Sequence, residues 1–241
     1  MLRIRTTWPL LISLLAVLAL APGTASARAR WSSFSGPISD EHSTTYWAYS
    51  VTAGPVRSAP LRYARAIDSV RLSTEDGFPE VYLVLAQKVY RNRTWFKIRL
   101  PGRPNGRTGW VPERALGRLQ VTHKHVVVDE RRLRLTVYVW GRKIFSAPVG
   151  IGAPSMPTPT GHFWIREKFP STDEFYGPYA FGTADYSTLS EWPHGGVVGI
   201  HGTNEPWLIP GRPSHGCIRV QNQDIARLWS MLPVGTPLTV T

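Results

Sequence analysis

Between residues 133 and 140 the chain alternates. Leu133, Leu135, Val137 and Val139 fall on one side, with Arg134, Thr136, Tyr138 and Trp140 on the other. A period of two belongs to a strand with one buried and one wet face. Residues 94–100 repeat the pattern, setting Phe96, Ile98 and Leu100 against Trp95, Lys97 and Arg99. Gly and Pro number 21 each, together about one residue in six, and cut the chain into pieces that favour short strands and turns over long helices. The one stretch with helical period is 222–232, where Ile225, Leu228, Trp229 and Leu232 recur at i, i+3, i+4 and i+7 before Pro233. Asn222 is the expected N-cap, its side-chain oxygen accepting from the first free N–H groups. The expectation is a mainly β protein with one short C-terminal helix.

The 241 residues provide for one large domain or two small ones with ample core. The 27 aromatics exclude disorder as the overall state, and a single cysteine excludes a disulfide scaffold. Arg3 and Arg5, an apolar run over 10–21 and then Ala25-Ser26-Ala27 have the layout of a signal peptide covering 1–27. That run of 12 is short of the about 20 residues a spanning helix needs, and no later segment could span. The expected destination is the periplasm or cell wall, with no stable membrane span after cleavage. Cleavage would take the formal charge from +12 to +10 by removing Arg3 and Arg5. The basic residues are scattered rather than striped, so nucleic acid is not expected as a partner. Anionic cell-wall polymers are.

Residues 28–44 are Ser-rich, polar and aperiodic, and read as a linker. From 45 to 117 short strands surround an apolar run at 81–86 and a turn-rich loop at 101–109, the pattern of a small all-β barrel. A second β pattern occupies 118–241. It has the strand of Leu133–Val139, a turn at Gly141-Arg142, a return over 143–150 and a closing strand over 235–241.

Cys217 lies in Ser214-His215-Gly216-Cys217-Ile218-Arg219. A lone thiol in an oxidising compartment is a liability, and as a nucleophile it needs a base or cation nearby. All seven histidines precede it, so any Cys–His pair runs His first, the reverse of papain-like folds. His201 ends an apolar run, Val197-Val198-Gly199-Ile200, and is followed by Gly202, so the loop to Ser214 can bring it to face Cys217. His215 would contact the thiol or pack beneath it. Backbone N–H groups of the Gly216-Cys217 turn could form an oxyanion hole, and the planar fork of Arg219 could bind a substrate carboxylate. The spacing from His201 through His215 to Cys217 matches no zinc motif, and no metal or other cofactor is expected.

Two resemblances follow from these residues. Val56-Arg57-Ser58-Ala59-Pro60, Trp95-Phe96-Lys97-Ile98 and Gly109-Trp110-Val111-Pro112 resemble a bacterial SH3-like domain, a non-catalytic module on wall enzymes. His201-Gly202-Thr203 followed by Ser214-His215-Gly216-Cys217-Ile218-Arg219 resembles the L,D-transpeptidase (YkuD-type) catalytic domain. The turn Pro157-Thr158-Pro159-Thr160-Gly161 resembles that family's Thr-Pro-x-Gly turn. The resemblance implies a β-rich sandwich, Cys217 as nucleophile, His201 as proton donor and acceptor, and His215 and Gly216 shaping the site. It also implies cofactor-free acyl transfer on peptidoglycan stem peptides. Where some members place a Ser to orient the base, this chain has Gly202, so only a backbone carbonyl could serve. The alternatives are an L,D-carboxypeptidase using water, a sortase-like transpeptidase built on His162, Cys217 and Arg227, and a non-catalytic cell-wall-binding protein.

Overall fold

The computed structural model describes residues 34–189, 191 and 193–241, without the side chains of 193 and 194. The signal peptide expected at 1–27 lies outside them. Among the described residues, no helix is long and apolar enough to cross a membrane.

Eight strands form the N-terminal sheet: β1 (Gly36–Pro37), β2 (Thr45–Tyr49), β3 (Gly54–Arg57), β4 (Ala66–Val70), β5 (Val81–Tyr90), β6 (Arg93–Arg99), β7 (Thr108–Pro112) and β8 (Gln120–Thr122). They run in the order β4-β3-β7-β6-β5-β2-β8, with β1 also on β5. Arg91 and Asn92 both take positive φ, which lets a two-residue turn follow the twist of β5 and β6. The sequence linker is corrected at its C-terminal part. β1 pairs with β5, and Asp40 accepts from the N–H groups of His42, Ser43 and Thr44, so this segment is folded onto the sheet. Trp95 also departs from its polar-face position: it is buried beside Phe96 and Ile98, so both faces of this part of β6 are covered.

The second sheet holds β9 (Lys124–Asp129), β10 (Arg134–Val139), β11 (Arg142–Pro148), β12 (Gly150–Gly152), β13 (Gly161–Pro170), β14 (Tyr179–Tyr186), β15 (Val197–His201), β16 (Gly211–Ser214), β17 (Ile218–Arg219) and β18 (Pro237–Val240). Its order is β11-β10-β9-β18-β13-β14-β15-β17-β12-β16. The helix, α1 (Asn222–Met231), buries Ile225 and Leu228. The β10–β11 turn is Trp140-Gly141, one residue earlier than the sequence reading, and both take positive φ. Among the described residues, the mainly β class with one short C-terminal α-helix is the observed one.

The sheets share a core. Trp47, Val81 and Leu83 of the first pack in one cluster with Val126, Phe163, Trp164 and Leu238 of the second. The Trp164 indole N–H donates to the Val81 carbonyl at 2.9 Å. A Cβ on Gly235 would sit 2.3 Å from the Trp47 indole, at a φ of +76°. Only glycine lets the two sheets close there.

Candidate active site

β15 and β17 lie side by side in parallel, with Ile200 opposite Ile218 and His201 opposite Arg219. That register sets Cys217 beside Gly199, whose N–H points at the thiol sulfur at 3.4 Å. A Cβ on Gly199 would lie 3.7 Å from His201 Cδ2 and 3.9 Å from Cys217 Sγ. Thiol and imidazole therefore flank one point, although 15 residues separate them in the chain.

His201 is buried, with only 1% of its surface exposed. Its Nδ1 is 2.6 Å from the Gly202 carbonyl oxygen. A carbonyl can only accept, so Nδ1 carries the hydrogen and Nε2 presents a lone pair. Among the described residues nothing hydrogen-bonds that buried Nε2. The backbone carbonyl of Gly202 is thus the hydrogen-bond partner of the ring. Burial pushes the imidazole down to about 4, against the opposing pull of the Gly202 carbonyl and with a smaller push from Arg219. At neutral pH the ring is an uncharged acceptor.

Burial likewise pushes the Cys217 thiol above its usual range, opposed by the Gly199 N–H and the Arg219 charge. The resting pair is a neutral thiol beside a neutral imidazole.

Three connections hold the cysteine turn. Ser214 Oγ donates to the Cys217 carbonyl at 2.6 Å and accepts from the Gly216 N–H at 3.2 Å. Thr158, from the Thr-Pro-x-Gly-like turn, donates to the Gly216 carbonyl at 2.7 Å and accepts from the Gly152 N–H at 2.9 Å. Gly216 takes a φ of +124°, which a side chain would strain. Ser214 therefore occupies one of the two N–H groups expected to line an oxyanion hole, which leaves that of Cys217.

The remaining assignments shift. His215 is exposed, at the rim rather than beneath the thiol. Arg219 is buried, donates to Glu205 Oε2 at 2.8 Å and lies 4.6 Å over the Phe175 ring. One nitrogen of its fork is engaged by a carboxylate of the chain itself, while its buried Nε has no hydrogen-bond partner among the described residues. Asn222 is not the N-cap. It is the first residue of α1, Gln221 being the cap, and its Oδ1 accepts from the Thr203 N–H at 2.8 Å. That oxygen would be 2.3 Å from a Cβ on Gly202, so a side chain there would displace the Asn222 amide.

Sequence reading missed the roof of the site. Tyr176 sits edge-on to the His201 ring at 4.9 Å and Phe175 at 5.9 Å, both from a short 3-10 turn, Glu174–Tyr176. Two adjacent aromatics in a polar loop were the only signal. Among the described residues no group of three or more His, Cys, Asp or Glu side chains is placed to hold a metal ion.

Comparison with known proteins gives this arrangement a relationship. The L,D-transpeptidase catalytic domain family (YkuD) matches residues 123–240. Bacillus subtilis YkuD, which bears an L,D-transpeptidase name, is 35% identical over 118 residues, covering 48% of this chain and 65% of that protein. Escherichia coli YbiS, similarly named, is 30% identical over 134 residues, covering 47% and 43%. The chain spans less than two thirds of the length of these curated relatives. Among solved structures, an L,D-transpeptidase from Mycobacterium smegmatis is 16% identical with a TM-score of 0.42, over 80% of this chain and 99% of that one. The catalytic domain of an Enterococcus faecium L,D-transpeptidase is 23% identical with a TM-score of 0.39, over 49% and 96%.

Proposed function

Because residues 123–240 form an L,D-transpeptidase catalytic domain of the YkuD family, we propose that the protein is an exported cysteine acyltransferase acting on peptidoglycan stem peptides. The observation that carries the reading is the placement of Cys217 Sγ and the His201 ring about the single point over Gly199. As substrate docks, His201 Nε2 takes the thiol proton and the sulfur attacks the carbonyl of the third stem residue. The oxyanion is held by the Cys217 N–H. His201 returns the proton to the leaving amine of D-alanine, which departs as the thioester forms. An amine from a second stem, or from an envelope protein, attacks the thioester. His201 accepts that amine's proton and returns it to the thiolate, so a new amide forms and the enzyme is restored. No step needs a cofactor. The N-terminal sheet, read as the SH3-like module of 45–117, would hold the enzyme against the wall.

Incubation with purified tetrapeptide stems, followed by mass spectrometry, tests the proposal. The expected product is a dimer one D-alanine lighter than two stems. Tripeptide alone would make the enzyme an L,D-carboxypeptidase, and unchanged stems would leave a non-catalytic wall-binding protein.

The neutral resting pair has a kinetic signature. With the imidazole held at about 4 and the thiol above its usual range, acylation by a carbapenem should be level from roughly pH 5.5 to 8. An inflection near the ordinary histidine value of 6.5 would contradict it.

Arg219 enters this reading as a fixed positive charge near the thiol. Arg219→Ala should slow both stem-peptide turnover and iodoacetamide alkylation by a similar factor, about ten-fold. A loss confined to the peptide would return Arg219 to a direct substrate contact.

A further inference from the structure

The loop between β6 and β7, residues 100–107, leaves the N-terminal sheet and reaches the rim of the Cys217 turn. Arg103 Nε donates to the Ser187 carbonyl at 2.7 Å, and its terminal NH2 nitrogen to the Gly195 carbonyl at 3.0 Å. The same guanidinium lies 5.3 Å over the Tyr186 ring. Asn105 closes a second clamp. Its amide donates to the Tyr186 carbonyl at 3.0 Å and to Asp185 Oδ1 at 3.1 Å, and its oxygen accepts from the Tyr186 N–H at 3.2 Å. One asparagine thus answers both backbone groups of Tyr186, as a neighbouring strand would.

What these two residues hold is the far wall of the nucleophile. Ser187 is buried, and a Cβ on Gly216 would lie 3.5 Å from both its Cβ and its Oγ. The Ser187 N–H donates to the Gly196 carbonyl at 2.9 Å, tying the two limbs that Arg103 bridges. Gly196 takes a φ of +76°, and a Cβ there would approach the Arg103 guanidinium to 2.6 Å, so glycine admits the clamp. From Arg103 to Ser187 to Gly216 is one continuous chain of contacts, and its first member is 114 residues upstream of Cys217.

We propose that Arg103 and Asn105 are positioning residues of the catalytic site, supplied by the N-terminal sheet, which fix the 185–187 and 195–196 backbone against the Gly216–Cys217 turn and so set the wall that orients the stem peptide. The proposal rests on Cys217 being the nucleophile. A small misplacement of such a wall costs a peptide substrate about ten- to a hundred-fold, because it spoils alignment with the nucleophile. A reagent that needs only the thiol feels little of this.

The full chain carrying Arg103→Gln, Asn105→Ala or Arg103→Lys tests it through two separate readouts. In hydrogen exchange, Asn105→Ala should speed the Tyr186 amide and Arg103→Gln the Ser187 amide by about ten-fold, with β9 and β10 unchanged. In kinetics, both should lower kcat/KM for tetrapeptide stems at least ten-fold, leave iodoacetamide alkylation of Cys217 within about two-fold, and Arg103→Lys should recover part of the loss. Unchanged exchange would overturn the clamp. Changed exchange with unchanged peptide kinetics, or an equal loss toward peptide and iodoacetamide, would overturn its role in positioning. A wild-type chain inert toward both stems and carbapenem would instead fail the functional reading, and the positioning role with it, whatever the exchange data gave.

Discussion

Cys217→Ala folds as the wild type does, turns over no stem peptide and gains no mass from a carbapenem. The wild type gains one adduct. The expected loss is complete because the proposed reaction forms a bond to this sulfur, and the sequence has no other cysteine. His201→Ala keeps the sulfur but loses the acceptor for its proton, so acylation at neutral pH should fall by about 10²–10⁴. His215→Ala, at an exposed position, should stay close to wild type. An adduct that persists in Cys217→Ala would sink the nucleophile assignment. If His201→Ala reacts normally while His215→Ala does not, the two histidines exchange roles.

The second large effect is on stability, at the seam between the sheets. Arg166 of β13 is buried, with 1% of its side chain exposed. Its guanidinium meets Glu80 from the N-terminal sheet through two nitrogens, one of them Nε at 2.9 Å. The third nitrogen reaches Glu75 at 2.8 Å and the Tyr186 hydroxyl at 3.0 Å. Glu80 has no solvent contact at all, so Arg166→Met leaves a carboxylate buried without its partner. That costs about 3–5 kcal/mol, which for a chain of this size lowers Tm by roughly 6–20 °C. Adding Glu80→Gln should recover most of the loss, because the cost is the orphaned charge more than the missing attraction. A thermal scan of the wild type and the two variants decides it: a drop below about 1 kcal/mol in Arg166→Met would mean that the pair contributes little.

The same seam explains what the sequence did not disclose. β10 and α1 were legible because each has one wet face, so burial writes a period of 2 or 3.6 into the residues, and β6 alternates in sequence although Trp95 is buried too. β13 and β14 carry no such period. Arg166 and Glu167 are charged yet buried in cross-sheet contacts, and Thr183 and Asp185 are buried as well. In β14 every residue after Tyr179 is buried. The proposed nucleophile and base stand in short sequence motifs, where the residue types themselves carry the chemistry. The partners of Arg219 and the roof over His201 depend on how distant loops fold back, which spacing does not encode. Asn222 shows the limit well: the residue type fits a cap, yet its oxygen is drawn to the Thr203 N–H.

β18 has a consequence for the timing of folding. It is the last strand in the sequence, yet it lies in the middle of the sheet, antiparallel to β13 and parallel to β9, with Leu238 opposite Val126. Until it arrives, β9–β11 and β12–β17 are two separate ribbons, each presenting an unpaired edge. Pairing across more than a hundred residues is slow, because loop-closure entropy is lost before any contact offsets it. The second sheet therefore stays incomplete until β18 has been made. The same delay leaves two open edges exposed to neighbours, so refolding yield should fall steeply as protein concentration rises.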